Sequence, residues 1–259
     1  MTTSSGPSRP PLRSDEQPVR DADSSETSLF HYTLGLADDA LISAQRMGWW
    51  ISRAPELEED VALANIGLDQ LGQARTLLAH AGQVEGAGRT EDDLAYLREE
   101  RAFTNCQLVE LENGDFAVTM VRQLLFSAYQ YELYRTLESS TDSQLAAIAA
   151  KAVKESAYHV DHGAQWTVRL GDGTDESHAR MQAAVDELWP YTHELFEDEP
   201  ELRSAWLSRV EPVLAEATLE RPVDGWAPRG GRDGQHTEAL SYLLAEMQVL
   251  HRAHPGAKW

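Results

Sequence analysis

A chain of 259 residues with 42% hydrophobic side chains carries enough apolar surface for a sizeable core. Its formal net charge of −21 disfavours nonspecific nucleic-acid binding, which needs a basic face. No apolar run reaches the roughly 18 residues of a membrane span, and the one cysteine, Cys106, excludes an intrachain disulfide and a thiolate zinc site.

The first 28 residues are rich in Ser, Pro, Asp and Glu, with only Met1, Leu12, Val19 and Ala22 clearly apolar. They lack the apolar centre of a secretory signal and are expected to form a disordered tail. A single domain over 29–259 is expected to follow it, in the cytoplasm. No convincing strand pattern occurs, and helical periodicity dominates from residue 29. Phe30, Leu34, Ala37, Leu41, Ala44, Gly48 and Ile51 fall on one helical stripe. Ala54-Pro55 breaks it. Pro55 suits the first turn of a second helix, whose positive end Glu56, Glu58, Glu59 and Asp60 complement, and Gly82 is its expected stop.

Thr90 with Asp93 predicts a capping-box start for a shorter helix that ends before Asn113-Gly114. The next helix places Phe116, Met120, Leu124, Ala128 and Tyr131 on one face. A cap at Thr141 to Ser143 opens another, which closes at Gly171-Asp172-Gly173. Thr174 opens a helix kinked near Pro190, and Pro200 opens one with Trp206, Val210 and Val213 inward. Residues 221–236 hold Pro222, Pro228 and four glycines and read as a loop. Thr237 caps a terminal helix to about Arg252. Long helices on short turns predict an all-α antiparallel bundle with additional C-terminal helices.

Two stripes carry polar pairs where apolar residues belong. One reads Leu63, Ile66, Gln70, Gln73, Leu77. The other reads Leu145, Ala149, Ala152, Ser156, His159, Gly163, Trp166, Leu170. Gln70 with Gln73, and Ser156 with His159, are spaced i, i+3, so each pair shares a helix face. Ferritin-like diiron proteins use this spacing for Glu-x-x-His on two helices, with a Glu on each of two others. None of the nine histidines has a Glu three residues before it. Asp175-x-x-His178 and Asp233-x-x-His236 come nearest, at a helix start and in a Gly-rich loop. Glutamine is a poor iron ligand because it is neutral, so Gln70 and Gln73 read first as buried hydrogen-bonding groups that tie helices together. His159 reads first as a satisfied core histidine paired with Glu155. Glu155, His159 and His162 share a face and are the alternative set for a mononuclear metal site. Trp49, Trp50, Trp166 and Trp189 read as core or interface. Gly230-Gly231-Arg232-Asp233-Gly234 follows no strand and is no dinucleotide fingerprint.

The run Ala62 to Arg75 (ALANIGLDQLGQAR) resembles the C subunit of bacterial phenylacetyl-CoA 1,2-epoxidase, a multicomponent monooxygenase. So do Lys151 to Glu155 with Tyr158-His159, Leu170 to Asp175, and the stretch from Gly230-Gly231 through His236-Thr237-Glu238 and Leu244 to Gln248 up to Trp259. The likeness covers about residues 30–259. It implies a ferritin-like fold and a place in phenylacetate catabolism. It implies a catalytic A subunit that carries the diiron centre and epoxidises phenylacetyl-CoA with O₂, and a flavin and iron–sulfur reductase subunit that passes electrons from NADPH. The C subunit of that family is a structural partner, so no cofactor and no catalytic residue are expected in this chain. Aligned so, Gln70, Gln73, Ser156 and His159 stand at degenerate diiron positions, and the first-helix ligand position falls near Asp39-Ala40. The expected partners are the A subunit and the other subunits of the complex, with no nucleic acid or membrane. An independent ferritin-like metal-binding oxidase, or a scaffold for another complex, are the competing readings. The Trp- and Tyr-bearing first helices are candidates for the partner interface, which the sequence does not locate.

Overall fold

The structure, a computed structural model, describes Met1 and residues 19–257. Among these residues there are nine α-helices and no strand. The first, α1 (Val19–Gly48), begins inside the stretch read as tail. Adding residues to an already packed helix needs no new nucleus, so the polar composition of 19–28 does not stop it. The rest of the expected tail, residues 2–18, lies outside the described residues.

Helix α2 (Leu57–Glu85) follows after a short turn and packs along α1. Pro55 stands before it rather than in its first turn, and Glu56 is the N-cap. The expected stop at Gly82 is wrong. The helix runs to Glu85 and ends on Gly86, whose φ of 68° suits the left-handed cap that glycine adopts without strain. Gly82 is buried, and a Cβ there would collide with the Arg89 carbonyl, so packing explains its glycine.

The single shorter helix expected after Thr90 is three pieces. These are α3 (Glu91–Tyr96), a 3-10 turn at Glu100–Ala102 and α4 (Gln107–Glu110). The Thr90–Asp93 capping box is present as read, with Thr90 Oγ1 accepting from Asp93 N at 3.2 Å. These pieces form a crossover from α2 to α5 (Phe116–Leu137), which is followed by α6 (Ser143–Gly171) packed along it. Asp115 caps α5 through Val118 N at 3.1 Å, and Asp142 caps α6 through Leu145 N at 2.7 Å.

The side-chain pairs give the directions. Gln70 meets Gln130 and Gln73 meets Tyr134, so α2 and α5 run parallel. Asp69 meets His159 and Gln73 meets Glu155, so α2 and α6 run antiparallel. Two helix hairpins joined by one long crossover are the ferritin-like bundle, as expected. Gly163 sets how closely α5 and α6 approach, since a Cβ there would stand 2.9 Å from Leu124 N. Helix α5 is buried nearly all round, because further helices cover its outer side.

Those are α7 (Asp175–Leu188) and α8 (Leu202–Glu216), while α9 (Glu238–Ala253) packs on the crossover. Pro190 does not kink one helix. α7 stops at Leu188 and the chain continues as a 3-10 segment, Trp189–Phe196. Pro200 precedes α8 by two positions, while Pro212 lies inside it. Trp206 on α8 is fully buried against Trp189 and Phe196, with ring centroids 5.3 and 5.2 Å away. Helix α9 is tied to α3 through Gln248, which donates to the carbonyls of Ala95 and Arg98, each at 3.1 Å.

Candidate functional site

Both odd stripes face the bundle interior. Gln70, Gln73, Ser156 and His159 are 1%, 2%, 0% and 0% exposed, so each i, i+3 pair points into the bundle. Their chemistry is different. Gln70 and Gln130 exchange two amide hydrogen bonds of 2.6 and 3.1 Å. Gln73 donates to Glu155 Oε2 at 2.9 Å and accepts from Tyr134 at 3.1 Å. The two glutamines thus bind α2 to α5 and α6, as their buried neutral amides suggested.

His159 does not pair with Glu155. Its Nε2 lies 3.1 Å from Asp69 Oδ2 on α2, while the Glu155 carboxylate is taken up by Gln73 and Lys151. Burial lowers its pKa, more than Asp69 and Glu155 raise it. His162 pairs with Glu59 at 2.8 Å, and Glu155 is also held by Lys151 at 3.0 Å. Glu155, His159 and His162 therefore share no partner: Glu155 meets Gln73 and Lys151, His159 meets Asp69, and His162 meets Glu59. Among the described residues no three His, Cys, Asp or Glu side chains converge as ligands for one ion.

These residues do not fit a diiron centre. Three of the four positions offer amide or hydroxyl groups, which supply no charge to hold Fe²⁺ and no bridging carboxylate. At the first-helix position, Ala40 has no ligand atom, and Asp39 turns to another site.

There Asp39, 2% exposed, accepts from both terminal nitrogens of Arg232 at 2.9 and 2.7 Å and from Cys106 N at 2.7 Å. Beside it, Asp38 holds Arg98 and receives Thr104 N at 2.9 Å. Glu194 accepts from Gln107 N at 2.7 Å and from Gly231 N. Glu110 accepts from Asn105 Nδ2 at 2.8 Å, His236 Nδ1 at 2.7 Å and Thr237 N at 2.5 Å. Asp38 and Asp39 clamp the crossover and the 229–237 loop onto α1, and Glu110 and Glu194 tie the crossover to that loop. Gly231 is needed because any Cβ would strike the Asn105 carbonyl and Glu194. The Gly-rich loop is thus docked through its backbone. Sequence reading missed this cluster. The signal for it was Asp38-Asp39 inside the apolar run between Ala37 and Leu41.

Burial raises the Glu194 pKa despite its two backbone donors. Burial alone would lower Arg232, but Asp39 beside it raises it overall. For His236, burial lowers the pKa, and the bond to Glu110 more than reverses this, so the net shift is upward. The folded state then favours the protonated imidazole. The stability it contributes is complete below the unfolded value of about 6.5 and is lost as pH rises through the folded value. We expect the stability gap between wild type and His236→Gln, measured by urea unfolding, to shrink from pH 6 to pH 9. A gap that widens over that range contradicts the assignment.

The Gln70–Gln130 pair gives a second expectation. Gln70→Leu strands a buried amide and should cost about 1–3 kcal/mol, whereas Gln70→Leu with Gln130→Leu should recover most of it. A double-mutant cycle by chemical denaturation checks this.

A family model described as phenylacetic acid catabolic protein matches residues 14–259, reaching further toward the N-terminus than the motifs above. The chain is 47% identical over 243 residues to the C subunit of 1,2-phenylacetyl-CoA epoxidase from Escherichia coli (strain K12). That match covers 88% of this chain and 98% of its relative.

Proposed function

We propose, from the premise that this chain belongs to the phenylacetic acid catabolic protein family, that it is a structural subunit of a phenylacetyl-CoA epoxidase and does no chemistry itself. The diiron centre sits in a catalytic sister subunit on this reading, and the flavin and iron–sulfur groups in a reductase subunit. The complex works in the cytoplasm. No helix among the described residues is long and apolar enough to cross a membrane.

One observation carries the reading. The polar pairs have the i, i+3 spacing and inward aim of a diiron bundle, while Gln70, Gln73 and Ser156 offer neutral amide and hydroxyl groups in place of carboxylates and an imidazole. Four acids facing one another without metal would repel, and neutral amides bonded to each other avoid that cost. A bundle freed from metal binding can serve as a rigid partner.

The test has two arms. The purified chain should hold well under one equivalent of iron or manganese by elemental analysis. Mixed with the sister subunit, it should co-elute with it on size exclusion. Stoichiometric iron lost on His159→Ala, or separate elution at micromolar concentration, would overturn the proposal.

A further inference from the structure

The outer side of α2 is uncovered and apolar. Leu57, Val61, Leu68 and Leu71 are 74%, 55%, 63% and 38% exposed, and their spacing sets them on one stripe opposite the Gln70 stripe. Tyr158 on the neighbouring α6 is 51% exposed and widens the surface, and Ile51 in the α1–α2 turn, 54% exposed, extends it at one end. Charges gather at its ends, apart from Asp69, which is tied to His159 at the seam, and Asp161, one turn beyond Tyr158, which accepts from Gln165. Glu56 and Glu58 stand at the α2 start. Arg75, Lys151 and Lys154 stand at the other end, since Gln73 meets Glu155 across the antiparallel seam. That end holds two of the three lysines in a chain of net charge −21.

We infer that this α2/α6 face is the docking surface for the catalytic sister subunit, which presents an apolar helical face with carboxylates opposite Arg75, Lys151 and Lys154. This rests on the reading in the preceding subsection and names the surface that it leaves open. A sparsely charged centre with an aliphatic and Tyr core and a charged rim is the anatomy of a protein interface. Two helices about 10 Å wide, over the roughly 22 Å from Leu57 to Leu71, give on the order of 450 Å² in projection, the core of a standard interface of about 800 Å² per partner. The face is rigid beforehand. Asp69–His159 and Glu59–His162 bridge the two helices beneath it, at 3.1 and 2.8 Å, so little ordering remains to be done on binding. A second copy is the weaker occupant, because it would set one net charge of −21 against another.

The experiment uses full-length chain carrying Val61→Glu and Leu68→Glu, and measures binding to the purified sister subunit by biolayer interferometry. Both positions are exposed, so the circular dichroism and melting curve of the free chain should match wild type. The affinity should fall at least about thirtyfold. Tyr242→Glu, on the outer side of α9, should leave it unchanged. Lys151→Glu with Lys154→Glu should slow association and flatten its salt dependence. Wild-type chain that fails to bind the sister subunit overturns the function proposed above, whatever the face does. Wild-type chain that binds while the Glu variants bind as tightly overturns the surface alone. So does a wild-type chain that dimerises by itself and becomes monomeric in the Glu variants, since the face then belongs to a second copy.

Discussion

Replacing Arg232 with Met should cost about 3–5 kcal/mol of unfolding free energy. The guanidinium bridges Asp39 through two bonds and also reaches the carbonyls of Thr104 at 2.8 Å and Gly35 at 3.2 Å. Methionine fills much of the same volume but leaves the Asp39 carboxyl, 2% exposed, with Cys106 N as its remaining donor. Most of the cost is that stranded charge and not the intrinsic strength of the ion pair. The double variant Asp39→Leu with Arg232→Met should therefore recover a large share. For a chain of this size, 3–5 kcal/mol corresponds to a fall of roughly 6–20 °C in melting temperature. Urea unfolding and calorimetry read both quantities. A single-variant loss under about 1 kcal/mol would show that the clamp contributes little. Hydrogen exchange should locate the effect in the 229–237 loop and the 104–107 segment, which the carboxyl groups hold together.

The second large effect lies at Trp206. Its ring is fully buried between Trp189 and Phe196, and its Nε1 donates to the Leu125 carbonyl of α5 at 2.9 Å. Trp206→Ala should cost about 3–5 kcal/mol, because the lost transfer energy is joined by a cavity that rigid neighbours cannot close. Trp206→Phe should lie between, since it keeps apolar contact but gives up the hydrogen bond. Chemical denaturation ranks the three proteins. An order other than wild type, Phe, Ala would mean that α8 collapses onto α5 without the indole.

The bundle helices were legible in the sequence because each repeats apolar residues along a 3.6-residue period for many turns. The stripes through Leu63 and Leu145 are buried at the positions read from spacing alone, except Leu170 at the end of the second, which is half-buried. Starts were legible where a cap is local, as with Thr90 and Asp93. Stops were less so. Gly82 looks like a helix end in sequence, yet its role is to let the Arg89 backbone pass, a contact made by chain folding back. The crossover carries too few turns for a period to emerge, so its three short pieces merged into one helix on paper. Asp39 shows the same limit at the site. Its place near the ligand row was readable, but its partner Arg232 stands far along the chain.

The sequence by itself determined that the two polar pairs share the i, i+3 spacing on stripes that face inward, and that three of the four residues are neutral amides or a hydroxyl. Spacing and residue type are local properties, and no distant contact alters them. Only the tertiary structure decided what those groups do instead: Gln70 closes on Gln130, Gln73 on Glu155 and Tyr134, and His159 on Asp69. A hydrogen bond depends on which helices lie side by side and in which direction. That is set by the crossover and the packing of the whole core, and no single stripe carries it.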